Sequence, residues 1–475
     1  MAYRYGDRHQ MQLLPQTIED YVAQNDPVRA YDAFIEAIKL SELGIIWDDS
    51  KVGNSTYDPK AMLKLLLYGY SYGHRSSRKI ERATYHNISF IWLMGGLKPD
   101  HKTIALFRDN NRTALKNILK QCARFCIKLN LIEGNTLFLD GTKFRANAGI
   151  KNTWTSNRCQ NYLKHIDEKI ESILIECEKT DTEEGGLSSL VAMQDELKDK
   201  KALQIKMHEV LQEIKEENRE SINTTDPDCV KTKGRQGIHA GYNGQIVVDK
   251  KHGLIVHSDV ISESNDLKQF ANQINQANET LGQKCETACA DAGYANTDEL
   301  KEIHDQGIAV IVPSQTQAHE REIKPFDKKH FIYDPESNTY TCPEGNKLTY
   351  SHHCKDKNHN VYQIKHSSSC IKCQHFGICT KSKYGRRIRR LANEETKQIL
   401  EQQYAQKSSQ AIYKLRKEKV EHPFGHIKRN LGVSGFLLRG IKGVKAEMAL
   451  FAACFNIVRM INIIGVKSFV TELSG

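Results

Sequence analysis

The sequence predicts an α/β protein: an all-α N-terminal part, then a mixed strand–helix core carrying two long insertions. Three observations lead there. Residues 1–130 show helical apolar spacing and helix-start signals. Further on, two short apolar runs that end in aspartate and one hairpin pattern supply strands. Between these lie a polar segment of purely helical period, 155–225, and a cysteine-rich segment, 315–400.

The chain has 475 residues, enough for two or three domains. It carries 68 Lys and Arg against 58 Asp and Glu, a net charge of +10. The excess is concentrated. Residues 381–390 (KSKYGRRIRR) hold six cations and no acid, and residues 411–442 hold eight cations and two acids. Such patches attract phosphates and make binding salt-sensitive, so a nucleic acid is the favoured partner. The opening MAYRYGDRHQ is polar and lacks the pattern of a secretory signal. Thirteen cysteines, an odd number, point to reduced thiols and metal rather than a disulfide framework, and to a cytoplasmic protein. The longest apolar run, 448–466, contains Asn456, Arg459 and Asn462. It reads as a buried core helix and not a membrane span.

In chain order, Asp58-Pro59 starts a helix, with Asp58 as N-cap and Pro59 in the first position. Met62, Leu63, Leu65, Leu66, Leu67 and Tyr70 give it a buried face. A helix initiated at Ser76-Ser77 carries Arg78, Lys79 and Arg82, a candidate reader of the DNA backbone. Pro99-Asp100 opens another, running through Phe107 and Arg108. A strand at 136–140 then ends in Asp140-Gly141-Thr142. An acid at the end of a buried strand does nothing for packing and calls for a partner, of which a divalent cation is one.

Leu163, Ile166, Ile170 and, beyond a break at 183–186, Leu197, Met207, Leu211 and Ile214 keep helical spacing. They predict an inserted helical hairpin, a structural arm or subunit contact. Residues 238–260 predict a β-hairpin turning at 250–253. A helix from 265 to about 280 follows. Next come a strand ending in Asp291, a helix over 297–306 and a strand over 308–313. Three strands, a helix and a further strand is the ribonuclease-H-like order. It would set the first strand beside the strand after the helix and bring Asp140 and Asp291 together at their carboxyl ends.

The cysteine-rich segment holds Cys342, Cys354, Cys370, Cys373 and Cys379. A C-x2-C pair is a chelating knuckle, so Cys342, Cys370, Cys373 and Cys379 form a candidate four-thiolate zinc site. Cys354, His352, His353 or His375 could replace one ligand. Cys122-x3-Cys126 has helical spacing and reads as core. Finally, Glu421 stands inside the cation-rich stretch Tyr413–Lys428, which suits a metal ligand beside a bound polyanion. Glu421 and Lys428 are seven positions apart, on one helix face two turns from each other. Pro423 should distort or interrupt that helix, because it lacks an N–H and crowds residue 419.

Taken together, these residues resemble the DDE-type transposases of bacterial insertion sequences, in the branch with a Tyr…Arg…Glu…Lys signature around the last acid. The resemblance spans nearly the whole chain. It rests on Ser76-Ser77-Arg78-Lys79-Ile80-Glu81, Pro99-Asp100-His101-Lys102-Thr103-Ile104, Asp140-Gly141-Thr142-Lys143, Gly241-Tyr242-Asn243-Gly244-Gln245 with Asp249, Asp291-Ala292-Gly293-Tyr294, Val420-Glu421-His422-Pro423-Phe424-Gly425-His426-Ile427-Lys428 and the cysteine motifs. One departure stands out. Four residues lie between Arg416 and Glu421 where the signature has three, which turns Arg416 about 140° from Glu421 on a straight helix.

The resemblance implies a helical DNA-binding domain over 1–130 and a catalytic domain over 131–475. It implies that Asp140, Asp291 and Glu421 hold two Mg²⁺ or Mn²⁺ ions, with Tyr413, Arg416 and Lys428 on phosphates. It also implies cleavage and strand transfer at terminal inverted repeats, a target DNA, and a homodimer or larger assembly on the bacterial nucleoid. Two alternatives remain at this level: a non-catalytic DNA-binding descendant, and a nuclease of the same fold that cuts without joining.

Overall fold

The computed structural model describes residues 16–45, 56–182, 187–234, 237–319, 325–355 and 358–474. The chain divides into two compact units. The first comprises Met1–Asp266, Asn275–Lys284 and Glu418–Gly475; the second comprises Leu267–Ile274 and Cys285–Lys417.

The first unit begins with helices whose starts are set locally. Pro59–Ser71 is capped by the Asp58 carboxylate, which accepts the N–H groups of Lys60 and Ala61. His101–Asn110 is capped by Asp100 through the Thr103 N–H at 2.7 Å. Ser77–His86 buries only Ile80, Ala83 and Thr84, leaving Arg78, Lys79 and Arg82 exposed. Cys122 and Cys126 are buried in Arg112–Lys128, as their spacing predicts. The apolar run near the C-terminus is the helix Ile441–Ile464, buried from Val444 through Ile457 except at Lys445. It packs on Pro59–Ser71, on Arg112–Lys128 and on the sheet, as a helix apolar on all sides must.

Strand β1 (Thr136–Arg145) is longer than its sequence suggests. The short pair β2 (Thr153–Trp154) and β3 (Ile222–Asn223) clips together the two ends of the helical arm. The arm consists of Ser156–Thr182 and Leu187–Glu216, joined around Leu163, Ile166, Met207, Val210 and Ile214. Its expected break at 183–186 lies outside the described residues. β4 (Val230–Gly234), a strand the sequence reading lacks, pairs with the start of β5 (Gly237–Asp249), and β6 (Ile255–Ile261) pairs with the rest. β5 runs antiparallel to β1 from Leu137↔Asp249 to Arg145↔Gly241. That unbroken ladder keeps Asp140-Gly141-Thr142 extended, although the tripeptide alone reads as a turn. Asp140 therefore lies mid-strand and not at a strand end. Asp249 closes the β5–β6 turn by accepting N–H groups from Gly134 and Lys251, both at 2.8 Å.

The helix expected from 265 starts later, as Phe270–Leu281. Asp266 is engaged elsewhere: its Oδ1 accepts from Asn243 and Gln245 at 2.6 and 2.8 Å.

In the second unit, β7 (Thr287–Cys289) and β8 (Ala309–Ile311) are parallel, with the helix Thr297–His304 between them in sequence. β7 stops before Asp291, which instead caps the turn Ala292–Tyr294. The cysteine-rich segment is a five-stranded antiparallel sheet. Its strands are β9 (Ile332–Asp334), β10 (Thr339–Thr341), β11 (Lys347–Cys354), β12 (His359–Ile364) and β13 (Arg387–Leu391), ordered β13–β12–β11–β10–β9. Phe331, Tyr340, Leu348, Tyr362, Ile364 and Ile388 form its core.

Candidate functional site

In the first unit the site is built on β1. Side chains alternate along a strand, so Asp140, Thr142 and Phe144 share one face. Asp140 is half-buried, and its Oδ1 accepts the Gly141 N–H at 2.9 Å. Lys428 reaches the same face. Its Nζ donates to Thr142 Oγ1 at 2.5 Å and stands 5.1 Å from the centre of the Phe144 ring. Phe424 adds a ring contact with Phe144 at 6.5 Å. The segment around Glu421 is thus fastened to the Asp140 face of β1, and Glu421 itself is exposed.

Pro423 does not interrupt the helix, which runs from Lys407 to Gly425 and then opens into a π-helical turn, His426–Asn430. The turn closes through Leu431 N–H to His426 O at 3.1 Å. A proline removes one i→i−4 bond, and a wider turn next to it accommodates the mismatch. Lys428 lies on the π turn, so the regular seven-residue register expected between it and Glu421 is not kept. His422 and His426 face the Phe455 ring at 5.4 and 5.5 Å. Burial first, then neighbouring charge, lowers the pKa of both.

The opposite face of β1 holds a group that sequence reasoning gave no role. The Nζ of Lys143 is enclosed without a hydrogen-bond partner, 3.9 Å from Asp266, and burial lowers its pKa. Lys143, Asn243 and Gln245 stand in the motifs quoted above, but strand pairing is what places all three around Asp266.

In the second unit, Asp291 is half-buried and its Oδ1 accepts the Gly293 N–H at 2.8 Å. The Arg416 guanidinium lies 5.5 Å from the centre of the Tyr413 ring, and Tyr404 meets that ring edge-on at 5.2 Å. Burial pushes the Tyr413 hydroxyl up and the Cys289 thiol to about 12. At both groups the Arg416 charge opposes that rise and the Asp291 charge adds to it. Arg416, Asp291, Tyr413 and Cys289 therefore share one electrostatic neighbourhood. Lys407–Gly425 counts with the second unit up to Lys417 and with the first from Glu418. Tyr413 and Arg416 accordingly group with Asp291, and Glu421 and Lys428 with Asp140.

Among the described residues, no group of three or more His, Cys, Asp or Glu side chains is spaced to hold one ion. Cys342, Cys370, Cys373 and Cys379 do line a single cavity of about 30 Å³, together with His375. Backbone N–H groups of Asn346 and Arg386 point at Cys342 Sγ and Cys370 Sγ, at 3.3 and 3.5 Å. Of the alternative ligands, His352 and Cys354 line a different cavity and His353 bonds Asn360. His375 borders the four thiols but contacts Glu344 at 3.1 Å.

Two family models match the chain: a transposase DDE domain over residues 341–461 and a transposase domain (DUF772) over residues 16–110. Both matches are to transposase domains, and each covers only part of the chain. The first match takes in β11 to β13 with Cys342, Cys370, Cys373 and Cys379, and also Tyr413, Arg416, Glu421 and Lys428; the second takes in Arg78 and Lys79. A solved structure, described as a piggyBac transposase synaptic complex with hairpin DNA, is 12% identical. The similarity covers 94% of this chain and 79% of that one, at a TM-score of 0.34. No curated protein matches the chain.

Proposed function

We propose that the chain is an insertion-sequence transposase that binds the ends of its element and catalyses metal-dependent DNA cleavage and strand transfer, on a ribonuclease-H-like core. The observation that carries this reading is the contact of Lys428 with Thr142, two residues from Asp140. It lays a cation and the Glu421 segment on the strand that bears the first acid. The element order β1, β5, β6, helix Phe270–Leu281, β7 supports the ribonuclease-H-like assignment.

Asp140, Asp291 and Glu421 are the carboxylates proposed to hold two divalent ions. All three offer the hard oxygen ligands that Mg²⁺ and Mn²⁺ take, and none is fully buried. Bound Mg²⁺ or Mn²⁺ would activate the attacking water or 3′-hydroxyl and neutralise the leaving oxygen. Lys428, Arg416 and Tyr413 would hold phosphates of the strand being cut, and Arg78 and Lys79 the backbone of the bound duplex. The four thiols border one cavity of about 30 Å³, and thiolates are the ligand type of Zn²⁺, which we propose would hold the five-stranded sheet together. Joining two ends calls for at least two copies of the chain, acting on the nucleoid in the cytoplasm.

The test uses duplex DNA carrying the inverted repeats that flank the reading frame, with Mg²⁺ present. The parent should nick at the repeat end and join it to a target plasmid, and Asp140→Ala, Asp291→Ala and Glu421→Gln should not. Variants that cut as well as the parent would refute the acid assignment. DNA bound without any nicking would identify a non-catalytic descendant, and nicking without joining a nuclease.

A further inference from the structure

The cysteine-rich sheet carries a second basic feature, remote in sequence from Lys428. β13 is an edge strand, and its side chains alternate. Ile388 and Arg390 are buried, whereas Arg387 and Arg389 are exposed. Both exposed arginines border a concavity of about 580 Å³, which they share with Lys328, His352 and Arg386. The register places Arg389 opposite Val361, and Val361 opposite His352, in one row across the sheet.

Not every cation there is available. Lys328 is paired with Glu394 at 2.5 Å. Arg386 donates to the carbonyls of Cys379 and Phe326, both at 2.9 Å, and is part of the framework. Arg387 and Arg389 pair with no acid among the described residues. Arg387 is held in place without losing its fork: its Nε donates to Gln363 Oε1 at 2.9 Å, and its guanidinium stands 5.8 Å from the exposed Tyr384 ring. The terminal nitrogens are left for a ligand, in the geometry that suits phosphate.

Among the described acids near β13, Glu394 is taken up by Lys328 and the Leu391 N–H, and Glu395 by Arg390. Asp334 and Glu336 sit at the β9–β10 turn, on the opposite edge, and Glu344 is engaged with His375. Charged edge strands also discourage sheet-to-sheet pairing, but that purpose requires neither a concavity nor a fixed guanidinium.

We propose that this concavity is a DNA-backbone site. Arg387 and Arg389 would grip phosphates of a duplex without reading its sequence, as a contact separate from the acid-bearing segment and from Arg78 and Lys79. The assignment rests on the DNA reading above.

The test measures binding of the full-length protein to a random-sequence duplex by fluorescence anisotropy across a salt series. Each phosphate contact contributes about 0.9 to the slope of log K against log salt. Arg387→Ala and Arg389→Ala should each flatten the slope by about 0.9, and the double variant by about 1.8. Arg387→Lys with Arg389→Lys should keep most of the slope, which excludes misfolding as the cause. Lys347→Ala, an exposed cation on the same sheet outside the concavity, should change nothing. An unchanged slope in the double variant, or an equal loss in Lys347→Ala, would overturn the site while leaving the transposase reading intact. A parent protein that binds no duplex at all would overturn both.

Discussion

Replacing Glu447 with alanine should be among the most damaging single changes in the first unit. Its carboxylate is fully buried on Ile441–Ile464. It accepts the N–H groups of Leu437 and Leu438 at 2.8 and 3.1 Å and faces Arg75 Nη1 at 3.4 Å. Arg75 also donates to Gly435 O at 2.7 Å and stands 5.6 Å from the Phe451 ring centre. Gly435 bridges to Arg145 at the end of β1, where Phe436 N–H bonds Arg145 O at 2.9 Å. This cluster clasps the N-terminal helices, the core helix and β1. Removing one partner of a buried pair costs about 3–5 kcal/mol, and each orphaned N–H about 1–3 kcal/mol. These costs overlap, because Arg75 keeps the Gly435 carbonyl, so the expected loss is about 4 kcal/mol. Glu447→Gln keeps the volume and an acceptor and should lose about half as much.

Urea unfolding monitored by circular dichroism measures both variants, and a double-mutant cycle with Arg75→Ala isolates their coupling. Amide exchange at Leu437 and Leu438 should quicken in Glu447→Ala. Burial raises the Glu447 pKa above its ordinary value. The folded state thus binds the proton more tightly than the unfolded state does. This contribution is full below the ordinary glutamate range and is lost as pH rises through the folded-state pKa, so Glu447→Gln should flatten that part of the pH profile. A loss under about 1 kcal/mol in Glu447→Ala, or no coupling to Arg75, would refute the clasp.

Three further outcomes are expected. His257, with its Nε2 enclosed and unpaired and with Asp259, Lys116, Lys445 and Glu279 around it, has its pKa lowered to about 4, chiefly by burial. Stability present above the ordinary histidine pKa should be lost as pH falls toward that value, by up to about 3 kcal/mol, and His257→Asn should remove this acid sensitivity in pH-dependent unfolding. Gly241→Ala would place a Cβ 2.5 Å from the Phe144 carbonyl oxygen, beside the β1 ladder. Thermal unfolding should show a loss of about 1–3 kcal/mol, and an unchanged midpoint would mean that the strands shift freely. Lys428→Ala should weaken binding of all duplexes alike and flatten the salt slope by about 0.9; an unchanged slope would remove Lys428 from the phosphate contacts.

Features decided within three or four residues are written in the sequence. The Asp58 and Asp100 caps, the two helices of the arm, the β5–β6 hairpin and the core helix follow from hydrogen bonds and apolar periods that neighbouring residues satisfy among themselves. Arg75 and Glu447 are 372 positions apart, and no local pattern signals their pairing. Asp140 looked like a strand end because its tripeptide suits a turn, yet the ladder with β5 holds it extended. Pro423 announced a disturbance, but neighbouring packing decided that the helix would widen after it and not stop. The cations of 381–390 were visible as a run of charge. Only strand alternation and sheet order sort them into buried Arg390, framework Arg386 and the exposed pair Arg387 and Arg389, because burial is fixed by what lies across the sheet and not by what comes next in the chain.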